Sequence, residues 1–190
     1  MKTIDEISKI KATILYILKS FPDGIDYIKL FKIMYFAQQE HLVKYGKPIF
    51  NDTFHALKHG PVPSFSYKCF QILEKDASFP NEELKTFANS FNINRETKMI
   101  YMKEEPDMDE LSKVNIKSLD SVIDKYGNYN SHKLSEISHD EAWLNAYKRT
   151  KDDPEYDRIS VIEIAKAGNA GNDIIKYIRK KEQLKKALSF

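Results

Sequence analysis

One segment limits how this chain can fold more than any other. Leu30-Phe31-Lys32-Ile33-Met34-Tyr35-Phe36-Ala37 is apolar on nearly every side of a helix, and such a helix has to be enclosed by other elements. Asp26 can cap its start, Ile25 and Leu30 occupy staple positions, and Gly46 is placed to end it. The spacing predicts a central buried helix from Asp26 to about Tyr45.

The elements around it can be read from local signals. Thr3 with Glu6 forms a capping-box pattern, and Ile7, Ile10, Ile14, Ile17 and Phe21 share one face, which predicts a helix from Ile4 to Ser20. Pro22-Asp23-Gly24 stops it. Pro48, Gly60, Pro61 and Pro63 exclude regular helix between Lys47 and Pro63, so an ordered Gly-Pro loop with extended pieces is expected there. A third helix is predicted from Ser64 to Lys75, and Asn81 can cap a short one through Ala88.

Phe91-Asn92-Ile93-Asn94 and Lys98-Met99-Ile100-Tyr101 alternate across a polar gap, the one convincing strand pair in the sequence. The acidic run Glu104, Glu105, Asp107, Asp109, Glu110 is read as opening the next helix, which Gly127 closes. A short helix is expected from Ser131 to Ile137. Ser138 with Glu141 is read as a second capping box, starting a helix that carries Trp143 and Tyr147. Lys151-Asp152-Asp153-Pro154 reads as a surface loop, and Ser160–Leu188 as helical with a break near Gly168–Gly171.

Charge narrows the possible partners. Thirty basic and 28 acidic residues leave +2, and only four of the basic ones are Arg. Readers of phosphates and guanine edges rely on the planar guanidinium, so composition does not point to nucleic acid. One cysteine among 190 residues excludes a disulfide framework and suits a reducing compartment. No apolar run approaches the ~18 residues of a membrane span, and no signal peptide is recognised at the N-terminus. A soluble, cytoplasmic protein is the expectation.

Candidate chemistry is sparse. His55 and His59 are four apart but sit in a proline-punctuated segment without a zincin glutamate, so they read as polar anchors and not metal ligands. His139-Asp140, with His132 upstream, is similar to the metal-binding dipeptide of HD-type phosphohydrolases, but capping explains the neighbouring residues without catalysis. Cys69 falls on an apolar helix face and reads as inert filler. No phosphate-binding or nucleophile-elbow glycine motif occurs. Lys32 within the apolar helix either snorkels or meets a partner, and Tyr35 is core filler or an interface aromatic. Lys176, Arg179, Lys180, Lys181, Lys185 and Lys186 face a lone Glu182, a basic helix able to touch nucleic acid or an acidic protein.

Several of these stretches together resemble a known family. Lys29-Leu30-Phe31-Lys32-Ile33-Met34-Tyr35-Phe36-Ala37-Gln38 is similar to the K-L-x-K-[LI]-[LM]-Y-[FY]-A-Q signature of the Panacea, or SocA-like, antitoxin domain. Gly46-Lys47-Pro48-Ile49-Phe50 follows, and then Phe54-His55-Ala56-Leu57-Lys58-His59-Gly60-Pro61-Val62-Pro63 resembles its aromatic-rich loop ending in Gly-Pro-Val. Leu134-Ser135-Glu136-Ile137-Ser138-His139-Asp140-Glu141-Ala142-Trp143 is similar to its closing motif, with the Trp one position early and no Pro before it. Leu57 stands in place of a common Trp, and His59 where Tyr is frequent.

The resemblance implies a mainly α fold that neutralises a protein toxin encoded by a neighbouring gene, by direct contact and without a cofactor or metal. The reading is then a single compact helical domain with a central buried helix, the Gly-Pro loop and a small β hairpin. Residues 1–150 form the antitoxin domain, and 151–190 a helical extension, basic at its end, packed on it. Lys32, Tyr35, His55, His59, Lys176, Arg179 and Lys180 are the candidate toxin contacts; Gly60, Pro61, Val62, His139 and Trp143 are structural members of the motif. The rival functions are a nucleic-acid-binding regulator acting through the basic C-terminal helix and a metal-dependent phosphohydrolase.

Overall fold

The computed structural model describes residues 2–150 and 157–188, so the loop expected at Lys151–Pro154 lies outside the described residues. The fold is mainly α, with two small antiparallel sheets. Helix α1 (Ile4–Lys19) begins with the expected reciprocal cap: Thr3 Oγ1 accepts from the Glu6 N–H, and the Glu6 carboxylate accepts from the Thr3 N–H. Strand β1 (Ile25–Asp26) leads directly into α2 (Tyr27–Tyr45), where the Asp26 carboxylate accepts from the Lys29 N–H at 3.0 Å. Gly46 ends α2 in the left-handed conformation, φ +62, with the Tyr177 ring packed where a side chain would stand.

Helix α2 is the centre of the molecule. Leu30, Phe31, Lys32, Ile33, Met34, Tyr35, Phe36, Ala37 and Gln38 are all buried in succession. Each large apolar side chain among them contributes roughly 1.5–3 kcal/mol by leaving water. The layer around α2 includes α1, α5 (Lys113–Tyr126), α6 (Ser131–Ile137), α8 (Val161–Ala167) and α9 (Asn172–Ala187). Helices α3 (Ser64–Lys75) and α4 (Glu82–Asn89) pack on each other, and Asn81 caps α4 as its sequence suggests.

One sheet has the order β1–β5–β4, with β4 (Phe91–Ile93) and β5 (Met99–Met102) forming the anticipated hairpin. The other was not read from the sequence as a sheet. The proline-punctuated stretch folds into a second hairpin, β2 (Phe54–Leu57) and β3 (Gly60–Pro63), and β2 also pairs with β6 (Arg158–Ile159). Pro61 and Pro63 are tolerated because β3 is the outer strand, where a missing N–H breaks no ladder.

Two helix starts differ from expectation. The acidic run does not open α5: Met108–Glu110 form a 3₁₀ turn, and Ser112 caps α5 with Asn115 in a reciprocal box. The acids instead meet α1, with Glu104 2.9 Å from Lys11 and Glu105 2.6 Å from Lys19. Ser138 is likewise not an N-cap. It has helical dihedrals as the C-cap of α6, while Asp140 is extended and caps α7 (Glu141–Arg149) by accepting from the Trp143 N–H at 3.0 Å. No helix among the described residues is long and apolar enough to cross a membrane.

Candidate interaction surface

The hairpin β2–β3 is held against α2, α6 and α7 by groups from each. From α2, Lys32 Nζ donates to the Pro61 carbonyl at 2.9 Å. Ser135 of α6 donates to the His59 carbonyl at 2.9 Å, and the α7 indole, Trp143 Nε1, donates to the Leu57 carbonyl at the same distance. The end of β2, the turn and the outer strand thus direct backbone oxygens at three donors, of which the buried Lys32 ammonium would cost more unpaired than it gains when bonded.

Gly60 fits the closest point of this dock. Its φ is +99, and a Cβ there would run into Ser138 Oγ and lie 2.8 Å from Lys32 Cε. Glycine after a tight turn is the usual answer to a positive φ. Pro61 and Val62 are buried behind it.

Asp140 joins the dock to the core. Its carboxylate accepts from Tyr35 Oη at 2.9 Å and from Gln39 Nε2 at 2.8 Å, while also capping α7. Burial, reinforced by the Asp140 charge, pushes the Tyr35 hydroxyl well above the usual range, so it acts as a fixed donor. Gln38, its neighbour, bridges the Ile49 N–H and the Phe50 carbonyl at 2.9 Å each and so ties down the Gly46–Phe54 segment.

Two candidate residues are enclosed by these contacts. Lys32 is 1% exposed and Tyr35 fully buried, so neither offers its side chain to a partner at the surface. The lysine stays inside because a strand carbonyl lies within its reach, and burial pushes its ammonium down to about 7 despite the opposing Asp26 charge.

The other candidates lie farther out. His55 is half-buried, with Nδ1 2.7 Å from Asp157 Oδ1, and His59 is exposed at the hairpin turn beside Lys58. His139 is exposed and stacks on Trp143, ring centroids 3.8 Å apart; Trp143 in turn stacks on Tyr147 at 4.8 Å. Burial of one ring face, with the Lys32 and His59 charges, lowers the His139 pKa. The hairpin turn and this three-ring ladder make up one side of the dock.

The basic helix supplies a second surface. Lys176, Arg179 and Lys180 are exposed on α9, with Lys176 3.9 Å from Asp173. The helix itself is anchored by buried Ile175 and Ile178. Among the described residues no three His, Cys, Asp or Glu side chains are grouped to hold a metal. Cys69 is buried, and burial, with the Asp52 charge, pushes its thiol up to about 12.

Sequence reasoning missed Ser135, Gln39 and Asp140 as members of the dock. Asp140 carried a readable signal, an N-cap residue type three positions before Trp143, but Ser138 offered a competing one. Ser135 was legible only as part of the closing motif and Gln39 carried no signal, since their partners are distant in the chain.

No curated protein and no solved structure matches the chain. A family model does: the antitoxin SocA-like, Panacea domain, over residues 30–144, which runs from the start of the buried part of α2 into α7. That span contains Lys32, the whole β2–β3 hairpin, Ser135, Asp140 and Trp143, and by a match over more than half its length the chain belongs to the antitoxin SocA-like, Panacea domain family.

Proposed function

We propose that this chain is the antitoxin of a type II toxin–antitoxin pair, binding a cognate protein toxin encoded by a neighbouring gene directly and in fixed stoichiometry. Family membership carries this reading. The geometry supports it in a specific way: the matched residues mostly bond to one another, fixing a hairpin against a helical core and leaving its turn outward. A neutralising protein needs a rigid surface that covers its target's working site, and no catalytic step. Cytosolic encounter of the two proteins is part of the proposal.

Two surfaces are proposed as contacts. One is the dock face with His55, Lys58, His59 and His139; the other is the exposed α9 set Lys176, Arg179 and Lys180. Rigid aromatic and cationic side chains at the centre of an interface carry most of its energy, whereas rim charges act mainly on encounter rate. Lys32 and Tyr35 contribute from below, by holding the surface in shape.

Co-expression with the neighbouring open reading frame tests the reading. Growth arrest by that product alone, relieved when this chain is present, is the expected outcome, with the two co-purifying as a complex. A product that is harmless alone, or that stays toxic beside this chain, overturns it.

A further inference from the structure

A groove of about 830 Å³ runs between the Gly46–Phe54 segment, the start of α8 and the side of α9. Its floor is Phe54, Ile159, Ile164 and Ile178, none more than 3% exposed, so its shape is set by core packing and not by mobile side chains. Exposed Pro48 and half-buried Val161 form apolar shoulders above that floor.

The walls are unevenly charged. Arg158, Lys181 and Lys186 line the groove and are exposed. Of the two acids in the lining, Asp52 is already engaged: it accepts from the Phe65 N–H at 3.0 Å, the Ser66 N–H at 3.1 Å and Ser66 Oγ at 2.9 Å, and lies 4.0 Å from Lys2. Glu182, the second acid, is half-buried. The field at the mouth is therefore positive.

Beyond the groove, Leu184 of α9 and its C-cap residue Leu188 are 50% and 84% exposed. They are four residues apart and follow Lys181 at helical spacing, so a lysine-flanked apolar stripe leads out of the groove. Exposed leucines beside cations suit an occupant with both features.

We infer that the groove and the last turns of α9 receive an acidic amphipathic segment of a partner protein. Its carboxylates meet Arg158, Lys181 and Lys186, and its apolar side chains rest on Pro48, Val161, Leu184 and Leu188. The inference rests on the antitoxin reading only for which protein supplies the segment. Nucleic acid fits less well: among the described residues the one aromatic in the lining, Phe54, is 1% exposed and offers no face for stacking, and Glu182 opposes phosphate.

The test uses the whole chain and a fluorescein-labelled short peptide alternating Glu or Asp with Leu, read by anisotropy. Competitors are the same peptide with Lys for its acids, an oligothymidylate and decanoate. Saturable binding of the acidic peptide is expected, weakening with added salt, and K181E/K186E should weaken it by about tenfold or more. K113E/K117E reverses two exposed charges on α5 and should change affinity by less than about twofold. Circular dichroism confirms that both variants fold. No saturable binding, equal loss in the two variants, or displacement by oligothymidylate or decanoate as effective as by unlabelled acidic peptide each overturns the inference.

Co-expression separates the two readings. Protection by wild type that K181E/K186E loses supports the groove; equal protection by both overturns the groove and leaves the antitoxin reading standing. If wild type does not protect, the antitoxin reading falls, and the peptide measurement still decides the groove.

Discussion

Lys32 Nζ lies 2.9 Å from the carbonyl oxygen of Pro61, joining the middle of the central helix to the outer strand of the proline-punctuated hairpin. The ammonium is buried, and its pKa falls from 10.5 to about 7. Folding therefore favours the neutral amine, and between pH 7 and 10.5 the unfolded chain binds the extra proton. Stability from this group rises with pH across that window, by up to about 1.4 kcal/mol per unit, and is flat below it. Urea denaturation of wild type and Lys32→Met from pH 7 to 9.5 should show the variant losing that slope; parallel curves would count against it.

Gly60 has no room for a side chain. Gly60→Ala places a methyl against Ser138 and Lys32 at φ +99, and should cost about 2–4 kcal/mol from strain and overpacking combined. The single tryptophan, bonded to Leu57 in the same hairpin, reports the loss directly by fluorescence. A shift in the denaturation midpoint too small to resolve would disprove the dock as described.

Asp140 and Ser138 separate two views of how α7 begins. Asp140→Ala removes the cap and the acceptor for Tyr35 and Gln39, with an expected cost of about 2–3 kcal/mol. Ser138→Ala loses one bond to the Ser135 carbonyl and should cost about 1 kcal/mol. Chemical denaturation giving the reverse order would restore Ser138 as the cap.

His41 makes the fold acid-sensitive. Asn115 Nδ2 donates to His41 Nε2 at 3.2 Å, which requires a bare nitrogen there and leaves Nδ1 to donate to Ser118 Oγ at 2.9 Å. Burial first, then the Lys9 charge, lowers its pKa from 6.5 to about 4. The unfolded chain takes up the proton first, so stability from this group is intact above pH 6.5 and lost as pH falls toward 4, at up to about 1.4 kcal/mol per unit. Thermal melts of His41→Gln across that range should show a shallower decline than wild type.

Much of the helical framework was legible because its signals are local. Thr3, Asp26 and Asn81 cap the helices their positions suggest, and Ser64–Lys75 has the predicted limits. The candidate surface was legible as a set of residues, through the family resemblance, but not as a geometry. His59 and the α9 cations are exposed, whereas Lys32 and Tyr35 turn inward. The acidic run was read as dipole complement because its true partners, Lys11 and Lys19, lie on a helix far back in the chain.

By itself the sequence determined that residues 27–45 form a helix whose middle, from Leu30 to Ala37, is buried, because an apolar run on nearly every side of a helix has to be covered by other elements. It also determined the positions of most turns, through proline and glycine. Only the tertiary structure decided that the Gly-Pro loop is a strand pair, since its third strand, Arg158–Ile159, comes from the far end of the chain. It likewise decided the fate of Lys32. Whether a lysine snorkels or stays buried depends on an acceptor within reach, and that acceptor, the carbonyl of Pro61, is placed there by a different element.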